Sequence, residues 1–86
     1  MLLKSKAANK KYAVIWQGKI VNFGDSRYQD FTQHHNDDRK RAYRLRHAKD
    51  HINDPTKPGF WSWHVLWNRP DLNESYQDAL RIAYKV

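Results

Sequence analysis

The 86-residue chain reads as a small α+β domain, an N-terminal β-hairpin followed by three helices. Two runs rich in β-branched and aromatic residues flank a glycine turn between Tyr12 and Phe23, the pattern of paired strands. Good helix formers open behind Asn36 and stop at Asn53-Asp54-Pro55. The segment from Leu72 to Tyr84 carries its apolar residues at helical spacing.

Residues 1–9 are polar and basic with little to bury, and read as a flexible basic arm or the lead-in to the first strand. Residues 10–86 form the single α+β domain. Tyr12-Ala13-Val14-Ile15-Trp16 is the first expected strand, Gln17-Gly18-Lys19 the turn, and Ile20-Val21-Asn22-Phe23 the return, ended by Gly24. Alternation puts Tyr12, Val14 and Trp16 on one face and Ala13 and Ile15 on the other. Ser26 to His35 allows one or two helical turns, with Asp25 ordering the turn before it. Asn36 suits an N-cap, and Asp37 and Asp38 complement the positive end of a helix running to about Ile52. Phe60 to Trp67 predicts a compact aromatic helix, because Phe60, Trp63 and Trp67 recur at helical spacing. In the last helix, Leu72, Tyr76, Ala79, Leu80 and Ala83 form one stripe. The expected core is Tyr12, Val14, Trp16, Ile20, Phe23, Phe31, Leu45, Phe60, Trp63, Trp67, Leu80 and Ala83.

Charge is concentrated in the first half. Residues 1–49 hold 12 Lys and Arg against 4 Asp and Glu, a net of +8; residues 50–86 hold 4 against 5, a net of −1. Like charges repel in a compact state, so a dense positive field points to an anionic partner, nucleic acid first. The field is densest on Asp38 to Lys49. At about 100° per residue, Ala42, Leu45, Ala48 and Ile52 share a narrow face expected to touch the core. Arg39, Lys40, Tyr43, Arg46 and His47 then cover the outside, with Arg44 at its edge. Guanidinium groups pair bidentately with phosphate, and tyrosine stacks on bases. Lys10, Lys11 and Lys19 on the hairpin are candidates for a second phosphate strand, against a plainer role as solubilising edge lysines.

Other chemistry is thin. There is no cysteine, which removes disulfides and thiolate zinc sites. His47 and His51 have the i, i+4 spacing of zinc ligands, but lysines and arginines around them repel a divalent cation, so no metal and no cofactor is expected. No phosphate loop or nucleophile–base pair is visible, and no enzymatic activity is expected. No apolar run approaches the ~20 residues that cross a bilayer, and the first residues lack the apolar stretch of a signal peptide. A soluble protein used inside a cell is therefore expected, and the pattern sets no oligomeric state. Four tryptophans are many for so small a core, so Trp16, Trp61 and Trp63 are candidates for a protein interface.

An ordered set of residues carries a resemblance. Lys11-Tyr12, Gly18-Lys19, Phe23-Gly24-Asp25-Ser26-Arg27-Tyr28-Gln29-Asp30-Phe31-Thr32 and His34 come first. Asp38-Arg39-Lys40, Tyr43, Arg46-His47, Asp54-Pro55, Gly59-Phe60-Trp61-Ser62 and Leu66-Trp67-Asn68 follow. The set resembles a family of small proteins encoded by tailed bacteriophages and giant DNA viruses, and covers about Lys10 to Asn68. The resemblance implies a viral protein located in the virion or the host cell interior, and brings no catalytic residues. The leading expectation is a basic, non-enzymatic viral protein that binds nucleic acid, DNA first, through phosphates. The alternative is a minor structural protein bound to capsid, portal or tail proteins.

Overall fold

The computed structural model describes residues 2–85. Met1, at the start of the expected arm, and Val86, at the end of the expected domain, lie outside them. The architecture is α+β: a three-stranded antiparallel sheet at the N-terminal end, then four helices. The strands are β1 (Leu2–Lys4), β2 (Lys10–Trp16) and β3 (Lys19–Asp25), in spatial order β1-β2-β3. The helices are α1 (Phe31–His34), α2 (Asp37–His47), α3 (Pro58–Trp61), which continues into a π-helical segment (Ser62–Leu66), and α4 (Leu72–Ala83).

The hairpin turn is formed by Gln17 and Gly18 at φ +49° and +79°. Two positive φ values match the twist of the strands they join. The register pairs Tyr12 with Phe23, Val14 with Val21 and Trp16 with Lys19. The flexible arm is corrected over Leu2–Lys4, which pair with Val14, Ala13 and Tyr12 as β1. This strand satisfies the outer edge of β2, and Leu2 packs on the core. Ser5 Oγ then bonds Asn22 Oδ1 at 2.6 Å, tying the end of β1 to β3.

The inner sheet face presents Val14, Trp16, Val21 and Phe23 to Phe60, Trp61, Val65, Leu66, Ala79 and Ala83. Burying side chains of this size contributes ~1.5–3 kcal/mol each. The α4 stripe lies against this core as its spacing predicts: Ala79 and Ala83 are buried, and Leu72, Tyr76 and Leu80 pack beside them. The other sheet face is left open, with Leu3, Ile15 and Ile20 exposed, so Ile20 is removed from the expected core.

Two further expectations change. Across the aromatic segment the buried residues are Phe60, Trp61, Val65 and Leu66 rather than Phe60, Trp63 and Trp67. A π-helix bonds i to i+5, which brings residues five apart onto one face. Positions 60 and 65, and 61 and 66, therefore stack, while Trp63 and Trp67 turn to the half-buried flank. Trp61 is fully buried, with Nε1 donating to the Pro55 carbonyl at 2.8 Å. The second change is α2, which ends at His47 and buries no residue completely; Leu45, expected in the core, is 78% exposed. Beyond it the chain turns back, with His51 in the left-handed region at φ +57°.

Gly59 makes that reversal possible. A Cβ there would stand 2.0 Å from the Asp50 carbonyl oxygen, so any side chain forces the loop off α3. Gly59→Ala is expected to lower stability by about 1–3 kcal/mol or more, as overpacking does. Leu45→Gln, on the exposed side, should shift it by no more than ~0.5 kcal/mol. Urea unfolding midpoints of both variants check the pair, and a large loss in Leu45→Gln would mean α2 is seated on its Leu45 face.

Candidate nucleic-acid interface

The basic helix sits with its expected outside partly turned in. Asn36 caps it as expected, its side chain accepting from Arg39 N at 3.1 Å. Lys40, Tyr43, Arg44 and His47 form the half-buried face, while Arg39, Arg41, Ala42, Leu45 and Arg46 are exposed. The inward residues meet the end of the π-helical segment. Lys40 Nζ donates to the Asn68 carbonyl at 2.5 Å and Arg44 Nε to the Trp67 carbonyl at 3.0 Å. A helix end exposes carbonyls without internal partners, and cations complement its negative pole. Arg44 also lies over the Trp63 ring at 4.6 Å and Lys40 over Phe31 at 4.9 Å. Burial pulls the pKa of both cations below its ordinary value. Tyr43 is stacked between Trp67 and His47, each ring 4.3 Å away, and burial pushes its phenol up to about 12.

These placements correct the expected binding surface. Lys40, Arg44 and the Tyr43 ring are occupied by the protein itself. So is Lys11, whose Nζ contacts Asp30 Oδ2 at 2.6 Å and Gln33 Oε1 at 2.6 Å. Asp30 is buried because it also caps α1, accepting from Thr32 N at 2.9 Å and Thr32 Oγ1 at 2.5 Å. Lys19 stands at the turn, six strand positions from Lys10, about 20 Å away at ~3.3 Å per residue. It is exposed but remote from the helix cations. The protein-interface candidates change as well: Trp16 and Trp61 are core, and Trp63 is half-buried under Arg44.

One cleft of about 470 Å³ lies between the open end of the hairpin and α2, and neither Arg39 nor Lys19 lines it. Lys10, Arg46 and His47 line it, with Tyr28, Gln29, Leu66 and Trp67. Among the described residues no carboxylate pairs with Lys10, Arg39 or Arg46. The acids of the cleft are taken up internally. Asp25 binds Arg27 through Nε at 3.0 Å and Nη2 at 2.9 Å, and these bonds hold its carboxyl down at about 2. Asp30 is held by Lys11, and the Asp50 carboxylate accepts from His47 Nδ1. Arg41 pairs with Asp38 on the exposed side, a contact worth little. His51 lies past the helix end, so the zinc spacing with His47 does not apply. No three His, Cys, Asp or Glu side chains cluster as metal ligands among the described residues, and no helix there is long and apolar enough to cross a membrane.

Tyr28 was missed by sequence reasoning. Its ring is 68% exposed on the loop that follows Gly24. Gly24 itself has φ +80°, and a Cβ there would lie 2.7 Å from Leu66 Cδ1. The signal was an aromatic inside the polar run Ser26 to Gln29, where neither strand nor helix periodicity gives it a core place.

The chain belongs to a family of unknown function (DUF5754), whose model matches residues 1–47. That span takes in the sheet, the Lys11–Asp30 pair, the Tyr28 loop and the whole of α2. No curated protein and no solved structure matches the chain.

Two histidines give this region a pH dependence. Burial, opposed by the bond from His64 Nε2 to the Ile52 carbonyl, lowers the His64 pKa from 6.5. Burial and then Arg39 lower that of His34, whose Nδ1 accepts from Asn36 N at 2.9 Å and so must be unprotonated. A depressed folded pKa means the unfolded chain binds more protons, so this stability is whole above 6.5 and is lost as pH falls through 6.5 toward the folded values. The urea midpoint should therefore fall between pH 7 and pH 5. The double variant H34Q/H64Q should show a shallower fall; an unchanged slope would mean other groups carry it.

Proposed function

We propose that this protein binds nucleic acid through phosphate contacts, without base-specific readout and without catalysis. The observation that carries the reading is the sorting of its cations. Those turned inward are hydrogen-bonded to backbone carbonyls or paired with Asp30, whereas Arg39 and Arg46 on α2 and Lys10 at the cleft mouth have neither a carbonyl nor a carboxylate partner for their side chains among the described residues. Arg39 and Arg46 are seven residues apart on one helix row, about 10 Å along the axis. Unpaired cations so arranged attract a polyanion and release its counterions. Three carboxylates at the cleft are each engaged by a neighbouring cationic or imidazole side chain, which favours holding a ligand over acid–base work. The viral setting implied by the resemblance would place such a protein on packaged or replicating genomes, with DNA as the first ligand to test.

A second reading has its own observation. The outer sheet face exposes Leu3, Ile15 and Ile20 together, a surface suited to another virion protein in place of the buried tryptophans. Recovery of the chain in purified particles at a fixed copy number, and its loss on Ile20→Lys, would favour this structural role.

The phosphate reading predicts a division among arginines and lysines. R39Q/R46Q should stay folded, weaken binding for all sequences alike, and reduce the log–log salt slope by roughly 0.7–0.9 per lost contact. K40Q and R44Q should lower thermal stability instead, because they leave helix-end carbonyls without donors. Fluorescence anisotropy across a salt titration, with thermal melts of each variant, checks both halves. An R39Q/R46Q protein with unchanged affinity and slope would overturn the assignment.

A further inference from the structure

We infer that the cleft beside α2 takes an unstacked nucleobase of a single-stranded nucleic acid, with the adjoining phosphate held between Lys10 and Arg46. The inference rests on the phosphate-binding reading and names the form of its ligand. Three observations carry it. The first is shape: a concave site of about 470 Å³ falls in the range of small-molecule pockets. A duplex hides the flat faces of its bases in the stack and exposes only their edges and the backbone, so it cannot place a base ring in such a cleft without extruding it. The second is lining. Lys10 and Arg46 line the cleft beside Asp25, Asp30 and Asp50, whose carboxylates are each engaged by a neighbouring side chain, and the wall includes Leu66, Trp67 and the Tyr43–His47 stack. An apolar, aromatic wall beside these two cations suits a planar ring joined to a phosphate. The third is Tyr28. It stacks on no other ring among the described residues, yet its loop is pinned. Arg27 grips Asp25 twice, Tyr28 N donates to the Asp25 carbonyl at 3.2 Å, and Asp30 is locked by Lys11. A large exposed ring on a braced loop, at the edge of a cleft, offers a face for stacking.

The test measures anisotropy of a labelled oligothymidylate, a duplex of the same length, and the oligothymidylate in competition with thymidine monophosphate. The oligothymidylate should bind more tightly than the duplex. Tyr28→Ala should weaken it at least about fivefold while leaving the salt slope unchanged, because a stacking contact and no phosphate contact is lost. Tyr28→Phe should restore binding, since the ring rather than the hydroxyl acts. Circular dichroism melts of Tyr28→Ala should match the parent, the side chain being exposed. If Tyr28→Ala binds like the parent while R39Q/R46Q still flattens the salt slope, the cleft assignment falls and the phosphate reading stands. If the monophosphate competes as well per base as the strand, the ligand is a free nucleotide and the single-strand assignment falls. If neither strand nor duplex binds at low salt, both readings fall.

Discussion

The seating of α2 depends on how the aromatic helix ends. The π-helical segment closes at Leu66 and leaves the carbonyls of Trp67 and Asn68 facing α2. Those oxygens need donors, and the nearest are Lys40 and Arg44. Once the two cations are committed there, the rotation of α2 is set. Tyr43 is carried into the stack between Trp67 and His47, and Leu45 is carried out to solvent. The helix is therefore seated by hydrogen bonds, cation–π contacts and ring stacking, rather than by an apolar stripe. Such contacts hold direction as well as distance, which keeps Arg39 and Arg46 pointing outward.

The high positive charge of the first half thus has two roles. Lys11, Lys40 and Arg44 act as internal donors, each lying against carbonyl or carboxylate oxygens that offset the loss of water. Removing one partner of such a contact leaves the other desolvated, so these residues matter for folding far more than a surface ion pair does. Lys10, Arg39 and Arg46 have no such use inside the chain. Arg39 and Arg46 pair with no carboxylate among the described residues, while Lys10 lies across the strand pair from Asp25, whose carboxylate is bound by Arg27.

The run Phe23 to Thr32 is dense with structural duties. Phe23 is fully buried, and Gly24 lets the backbone pass close to Leu66. Asp25 and Arg27 close the turn, Asp30 caps α1 and anchors Lys11, and Phe31 is buried beneath the helix it begins. The side chains of Ser26, Tyr28 and Gln29 have no internal partner among the described residues, and of these Tyr28 alone brings a large ring. One residue displayed by so many restraining neighbours explains how a loop without regular structure can build a defined edge to the cleft.

Local chemistry alone determined a good deal: the α+β class, the Gln17-Gly18 turn, the β2–β3 hairpin, the Asn36 cap, the Asp25 turn and the α4 stripe. Each depends on neighbours within a few residues, so period and turn residues are enough to read it. The β1 strand was hidden because three residues carry almost no period and gain their place only from the open edge of β2. The core set of the aromatic segment was misread because an i+5 helix cannot be told from an i+4 helix by composition. The site was legible as a charge and illegible as a geometry. Lysine and arginine look alike along the chain whether they face water or a helix end, and an amphipathic reading assigns them all to water. Which cations stay exposed was decided only when the carbonyls of Trp67 and Asn68 met α2, a contact between residues 23 and 28 positions apart, where donor supply and orphaned acceptors balance in space rather than in sequence.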